Sequence, residues 1–590
     1  VGVIKPSIVG AGGPQSADAT VVPRPLRVGL LLDSLAPAAW VEHVLKRIVA
    51  EGIADLTVVI LNAAAHGSLH VSQPGLRRRI ATWYRNRDAL AYSLYARLDA
   101  RRYGTENDPA KSVDLSEMLR NVPVVRIQPR MTRFCDYFDD ADVAQILTYD
   151  LDVALRFGFR ILKGDSLRIA RDGVWSFHHG DNSVNRGGPA GFWEVMEHHE
   201  VTGAVLQRLT EALDGGDIVG RSFASTNRFS PTANRANYYW QATDVLVAQL
   251  RVLADRLNVG VPGPDSSGIA EPEMLWSSYS NRLYRTPSTI ELISGVGQLV
   301  AKLTLSKIRS VFMSEQWLIA YRLTSDSGPT GDVPDGVFYR FNEMVPPRDR
   351  FWADPFPIHT DGKHFIFFEE HILAEPNAHI NVVEIGPAGV VGAPRIVLQR
   401  PYHLSYPSVF EWNGEWYMTP ETASRRAVEL FRAVSFPDKW EFVGPLLSDV
   451  DAVDPTIACI NGRWWMFVAI GVRGTTEAAA LHIYSASTPI GPWTPHRRNP
   501  VKIDVRGARP GGRVFIAGGR YYRVAQDGAP SYGSGLRVFI IDHLDDNAFR
   551  ETEVSRIIPR WRPGLVGVHT LNASGGLTVV DARQVRRWPS

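Results

Sequence analysis

His178 ends an apolar run, Val174-Trp175-Ser176-Phe177-His178, and a glycine-bearing loop, Gly180 to Gly188, follows it. About 30 residues on, the turn Leu213-Asp214-Gly215-Gly216-Asp217 supplies carboxylates. A histidine at a strand end and an aspartate at a nearby turn are the components of proton transfer, so His178 and Asp217 are read as an acid/base pair. A second set lies far downstream. Asp354-Pro355, Asp454-Pro455 and Arg509-Pro510 recur in similar surroundings, with Glu421 and His569 between and after them. Two carboxyl groups facing one bond are what acid/base cleavage of a glycoside needs. The plain alternatives are a hydrogen-bonded strand-end histidine and Asp-Pro pairs that only start strands, a place Asp favours for backbone bonding.

These residues need elements to position them. Arg27-Val28-Gly29-Leu30-Leu31-Leu32 and Leu56-Thr57-Val58-Val59-Ile60-Leu61 are apolar runs of the kind found in strands buried on both faces. Helical spacing from Trp40 to Glu51 separates them, which predicts a parallel sheet with right-handed crossovers. Pro123–Ile127 and Val153–Phe157 are expected as later strands, and Tyr238–Leu257 as a closing helix. An insertion over residues 65–121 interleaves basic and aromatic side chains, among them Arg77, Trp83, Tyr92 and Arg101. It reads as an amphipathic helix with a solvated basic face, or as a grip for an anionic partner such as a nucleotide or lipid phosphate. Residues 259–270 read as a Gly/Pro/Ser linker, and Thr289–Phe312 as an amphipathic connecting helix.

The second half repeats. Prolines 355, 407, 455 and 510 stand about 50 residues apart. Each follows a short start and precedes an apolar strand, a glycine hairpin and an aromatic strand; a weaker copy lies near His569. Strand-and-hairpin units at that period predict a five-bladed β-propeller, with Glu315–Arg322 closing the ring onto the last blade. The expected organisation is a leader over 1–25, an α/β domain over 26–258, a linker and helix over 259–314, and a propeller over 315–590.

Composition sets bounds. A chain of 590 residues with 45% hydrophobic and 21% charged residues exceeds one core and is globular in type. A formal charge of +2 gives no electrostatic case for nucleic acid. Two cysteines, Cys135 and Cys459, cannot build a disulfide framework, and reduced thiols in a cytoplasm are the expectation. No apolar run reaches membrane-spanning length, and residues 1–25 lack the apolar core of a signal peptide. The clustered His179, His198 and His199 lack neighbouring ligands at metal-binding spacing, so no metal site is expected.

From Arg27 to Arg256 the chain resembles the catalytic domain of methionyl-tRNA formyltransferase and of the sugar N-formyltransferases, an α/β Rossmann-like fold. The resemblance rests on Ser176-Phe177-His178, Arg186-Gly187, Thr202-Gly203 and Leu213-Asp214-Gly215-Gly216-Asp217. It implies 10-formyltetrahydrofolate as cofactor, with Phe157, Gly158, Phe159, Ile161, Leu162, Arg186 and Gly187 around it. His178, Asp217 and Ser176 would then be catalytic. Ser176 stands where the family has an asparagine that donates to the tetrahedral oxyanion. Formyl transfer with Ser176, His179 or water in that role, a related transfer, and a silent domain are the readings left open.

The propeller resembles five-bladed glycosidases of the arabinanase and fructosidase type, and the N-terminal domain of glucosamine inositolphosphorylceramide transferases. That likeness implies a base at Asp354 and a tuning carboxylate at Asp454. Arg509 occupies the place of the acid glutamate, with Glu369, Glu370 and Glu421 as possible substitutes. Joined, the two likenesses imply formyl transfer to the amine of an amino sugar or glycoconjugate held by the propeller. Glycosyl transfer or hydrolysis at the propeller, with the first domain as scaffold, and plain carbohydrate binding are the alternatives. The partner is then a carbohydrate or amino sugar, free or nucleotide-linked, and the oligomeric state is open.

Overall fold

A computed structural model describes residues 24–66, 76–184, 186–212, 215–259, 282–324, 334, 336–471, 475 and 478–587, with side chains over 65–86 left aside. Residues 1–23 of the expected leader, the linker over 260–270 and Asp214 lie outside the described residues, as do the side chains of Arg77 and Trp83.

The apolar runs of the N-terminal half form an open seven-stranded sheet. Its order is Asp217–Ser225, Val201–Arg208, Val174–His178, Val153–Arg156, Leu26–Leu32, Ala54–Asn62, Val124–Ile127. The last five strands run parallel, and the first two are antiparallel additions. Residues of Leu26–Leu32 alternate between two cores. Leu26, Val28, Leu30 and Leu32 join helices Ala39–Ala50 and Pro231–Val259 on one face. Leu31 joins helix Asp140–Leu147 on the other. Covering on both faces explains why these strands read as unbroken apolar runs. The insertion holds helix Leu76–Tyr103.

From residue 313 the chain is five successive antiparallel sheets. Blade one runs from Arg350 to Leu398, blade two from Ser405 to Ser448, and blade three from Ala452 to Pro495. Blade four runs from Phe515 to Ile557. The fifth is composite: Met313–Leu323 pairs along its whole length with Leu577–Arg587, so the two ends of the propeller share one blade. Ring closure is also visible in the packing. Separate apolar clusters fill the joints between blades one and two, two and three, three and four, four and five, and five and one. The ring is thus held by five interfaces in cyclic order.

The fourth repeat departs from expectation. Residues 508–514 are not a strand, and only Pro510 bridges to Ala525 before the short strand Phe515–Ala517. Two glycines account for this. Gly512 has φ +146, and a Cβ there would lie 2.1 Å from the carbonyl of Leu571. The backbone is pressed against the neighbouring blade rather than paired in its own.

The two halves touch. Phe223, on the edge strand of the first sheet, bridges to Asp504 in the connection between blades three and four. The N–H of Val505 donates to the carbonyl of Phe223 at 2.9 Å, and Ser225 Oγ to that of Pro530 at 3.1 Å. Ile503 enters the first domain's core.

Candidate functional site

The recurrent prolines aim the side chains that precede them. Register shifts separate Ala353 from Phe356, Ser405 from Ser408 and Val453 from Thr456. Proline has no N–H to give the ladder, so the innermost strands of blades one, two and three bulge there. The residue before each proline takes a left-handed conformation: Asp354 at φ +51, Tyr406 at +46, Asp454 at +53. Such conformations cost about 1–3 kcal/mol each for a non-glycine residue and concentrate at functional sites. Three blades thereby turn a polar side chain toward the axis.

Asp354, Tyr406, Asp454, Glu369, His569 and Asp581 are all buried around that axis. Arg509 reaches in from blade four. Its Nε donates to Asp454, its Nη2 lies 3.3 Å from the other Asp454 oxygen, and the same nitrogen is 3.4 Å from Glu421. Gln526 Nε2 also donates to Asp454, at 2.6 Å. On the facing side, Thr570 Oγ1 donates to Asp354 at 2.6 Å and His569 Nε2 lies 3.6 Å from it. His569 Nδ1 meets Asp581 at 2.5 Å, and the imidazole stacks on Trp317 with centroids 4.1 Å apart. Tyr532 stands edge-on to His569 and under the Arg509 guanidinium. The Arg509 and Glu421 side chains keep 23% and 14% of their exposure, so the cluster communicates with solvent on that side.

The electrostatics separate the carboxyl groups. Burial, with Asp454 close by, holds Glu421 well above the ordinary carboxylate range despite Arg509. Burial, with Asp454, Glu369 and Asp581 around it, pushes Asp354 up to about 7 against the pull of His569. Burial opposes charge on His569, but Asp581 and Asp354 outweigh it and raise the imidazole to about 9. At neutral pH Glu421 is therefore a proton donor, Asp354 is poised to take a proton, and His569 is a cation. Two carboxyl groups with separated roles are the pattern of acid/base chemistry. Glu370 is placed differently. Burial would raise it, but bonds from His379, Trp352 and Arg350 hold it at about 2, a structural ion.

Asp354, His569 and Asp581 offer three ligand atoms within 4.8 Å of one another. Asp581 already accepts the N–H groups of His569, Thr570 and Asp354, at 2.9, 3.0 and 3.2 Å. Both carboxylates of this set are thus already bonded within the chain.

The first domain arranges its expected residues otherwise. His178 is level with Val205, whereas Asp217 is level with Arg208 and, through it, with Trp175. Two strand spacings and three residues of offset put their backbones roughly 14 Å apart. Asp217 instead takes a pair of bonds from Arg208, at 3.0 and 2.6 Å. The expected His178–Asp217 pair is not formed. Ser176 is buried and accepts from Arg156 Nε at 3.0 Å. His179 lies against Tyr239, centroids 3.8 Å apart, and burial beside His178 and Arg156 drives it down to about 3. A neutral ring in an aromatic stack is a core element.

The residues expected to surround a cofactor are largely consumed by packing. Phe159 and Leu162 lie in the second core and Phe157 against the first. Ile161 pairs with Cys135 in a small side sheet. Gly158 abuts the first strand, where a Cβ would meet Asp33 N at 2.4 Å. Gly187, at φ +85, follows Arg186 in a short pairing with Leu283–Tyr284, and a Cβ there would meet the Tyr284 carbonyl at 2.2 Å.

Of the expected propeller residues, Asp354, Asp454, Arg509, Glu421 and His569 converge. Sequence reasoning missed Tyr406, Trp317, Gln526, Tyr532 and Asp581. Tyr406 carried a signal, since Tyr406-Pro407 fills the same slot as the two Asp-Pro pairs.

Fold and site together define a five-bladed propeller with an acidic axial cluster. Residues 342–565 match the family described as glucosamine inositolphosphorylceramide transferase 1, N-terminal. The glucosamine inositolphosphorylceramide transferase 1 of Oryza sativa subsp. japonica is 32% identical over 241 residues, 40% of this chain and 32% of that protein. The chain thus spans about a third of the length of the curated relatives it matches. Among solved structures, the family 117 glycoside hydrolase Zg3597 of Zobellia galactanivorans overlaps 46% of this chain and 90% of its own at TM-score 0.29 and 16% identity. A glycinamide ribonucleotide transformylase from Symbiobacterium toebii overlaps 39% of this chain and 88% of its own at TM-score 0.26 and 15% identity. Overlaps that weak carry no weight for either half. The matched relatives are named transferases of a sugar, and nothing in the comparisons supports formyl transfer from a folate.

Proposed function

We propose that this chain acts on a glycosidic bond at the propeller axis, as a glycosyl transferase of an amino sugar, with the first domain as scaffold. One observation carries the reading: Glu421, held protonated, and Asp354, poised near neutrality, share the axis with the Asp454–Arg509 pair. Glu421 is the acid toward the departing oxygen, and Asp354 is the base toward the incoming hydroxyl. Tyr532, exposed beside Arg509, supplies an aromatic surface for a sugar ring. Similarity over residues 342–565 to transferases named for glucosamine supports the substrate class.

The test is binding and turnover with glucosamine-containing glycosides. Asp354→Asn and Glu421→Gln should each lower turnover by about 100-fold or more, in keeping with loss of a general acid or base. His178→Ala should leave it unchanged. Abolition by His178→Ala with Asp354→Asn unaffected would move the chemistry to the first domain.

A further inference from the structure

Helix Thr289–Phe312 joins the two halves, yet among the described residues only one stripe of it is docked. Leu292, Gly295 and Leu299 are buried against Phe192, Trp193 and Met196. At 3.6 residues per turn the opposite side carries a second apolar stripe. Ile290, Ile293 and Val300 are each more than half exposed, and so are Leu305, Ile308, Val311 and Phe312 further along. A water-facing helix normally presents polar residues there. Exposed apolar surface on this scale marks an interaction site.

The polar residues beside that stripe are of one sign. Lys302, Lys307 and Arg309 flank it, and from Leu292 to Phe312 the helix has no acidic residue. The neighbouring helix Leu76–Tyr103 repeats the pattern. Leu90, Leu94 and Leu98 are more than half exposed, with Arg87, Arg97 and Arg101 exposed among them. The helices are tied where Asp88 accepts from the N–H and hydroxyl of Thr289, at 2.9 and 2.7 Å. They also share the cluster around Phe192 through Tyr92 and Tyr95.

We propose that this two-helix face lies on an anionic lipid surface, with the apolar side chains in the acyl boundary and the cations among the headgroups. Apolar stripes bordered by Lys and Arg are the composition of helices that rest in the membrane interface. No described helix is long and apolar enough to cross a membrane, so the mode is lying on the surface. Charge argues against a second copy as the occupant, because a two-fold pair would set the cations of one copy against those of the other. The inference does not depend on the chemistry at the propeller axis.

Co-sedimentation of the full chain with vesicles tests it. The protein should pellet with phosphatidylcholine–phosphatidylglycerol vesicles of roughly 2:1 composition and stay in solution with pure phosphatidylcholine, the binding weakening as salt rises. Each cation near the surface contributes about five-fold in affinity, so the triple variant Lys302→Gln/Lys307→Gln/Arg309→Gln should bind on the order of 100-fold more weakly. The variant Ile293→Ser/Val300→Ser/Ile308→Ser should release the protein while its melting temperature is kept, since these side chains are already in water. Absence of binding, or equal binding to neutral vesicles, overturns the proposal. So does a stable wild-type oligomer that the serine variant dissociates, which would assign the face to protein contacts.

Discussion

Replacing Arg509 by methionine removes the one guanidinium that holds Asp454 and Glu421 at the propeller axis. Asp454 is 1% exposed, so its charge would lose its cation without gaining water. Gln526 still donates one bond at 2.6 Å, which offsets part of the loss. Deleting one partner of a buried ion pair costs about 3–5 kcal/mol because the other charge is left uncompensated. With the Gln526 bond retained, about 3 kcal/mol is expected at pH 7. For a domain of this size that corresponds to a fall in melting temperature of roughly 6–12 °C. Thermal melts at pH 7, with Arg509→Met/Asp454→Asn beside the single variant, measure this. The double variant should recover most of the loss. A single-variant deficit below about 1 kcal/mol, or one that the double variant fails to recover, would refute the coupling between these groups.

Other outcomes follow from the same geometry. His569 is raised to about 9, so its contribution to stability is complete below its unfolded value near 6.5 and lost as pH climbs toward 9; His569→Asn should flatten the decline in melting temperature across that window. Gly158→Ala should destabilise the first domain by about 1–3 kcal/mol in urea melts, because the new methyl meets backbone at 2.4 Å rather than a movable side chain. With the axis as the working site, ~1 mM 10-formyltetrahydrofolate should leave the melting temperature unchanged; a rise of several degrees, abolished by His178→Ala, would return one-carbon chemistry to consideration.

The propeller was legible in sequence because its defining residue is conspicuous. Proline is rare inside strands, and of four at a spacing of about 50 residues, Pro355, Pro407 and Pro455 mark the bulge of an inner strand. The same rule found Asp354, Asp454 and Arg509, and applied without regard to charge it would have found Tyr406. The other axial residues were not legible. Trp317 and Asp581 lie on the two distant strands that zip into blade five, and Tyr532 belongs to blade four, so they meet only when the ring closes, and nothing local announces that. The first domain shows the opposite case. Its parallel strands were found to within a few residues, whereas Val201–Arg208 and Asp217–Ser225 were not expected, and the pairing of His178 with Asp217 failed on register. Spacing along the chain says that two strands are neighbours, and it does not say which residues are level. Asp217 sits at the far end of that ladder, where Arg208 takes it.

The zipped strands Met313–Leu323 and Leu577–Arg587 also govern how the chain is made. About 250 residues must be synthesised between them. At roughly 5–20 residues per second, the first strand waits on the order of 10–50 s for its partner to leave the ribosome. Through that interval its edge is open to any passing strand. The same residues adjoin the exposed apolar helix, so the nascent chain carries its most adhesive surfaces side by side. Production of this protein is therefore expected to depend on how well a holding factor covers residues 289–323 until the last strand arrives.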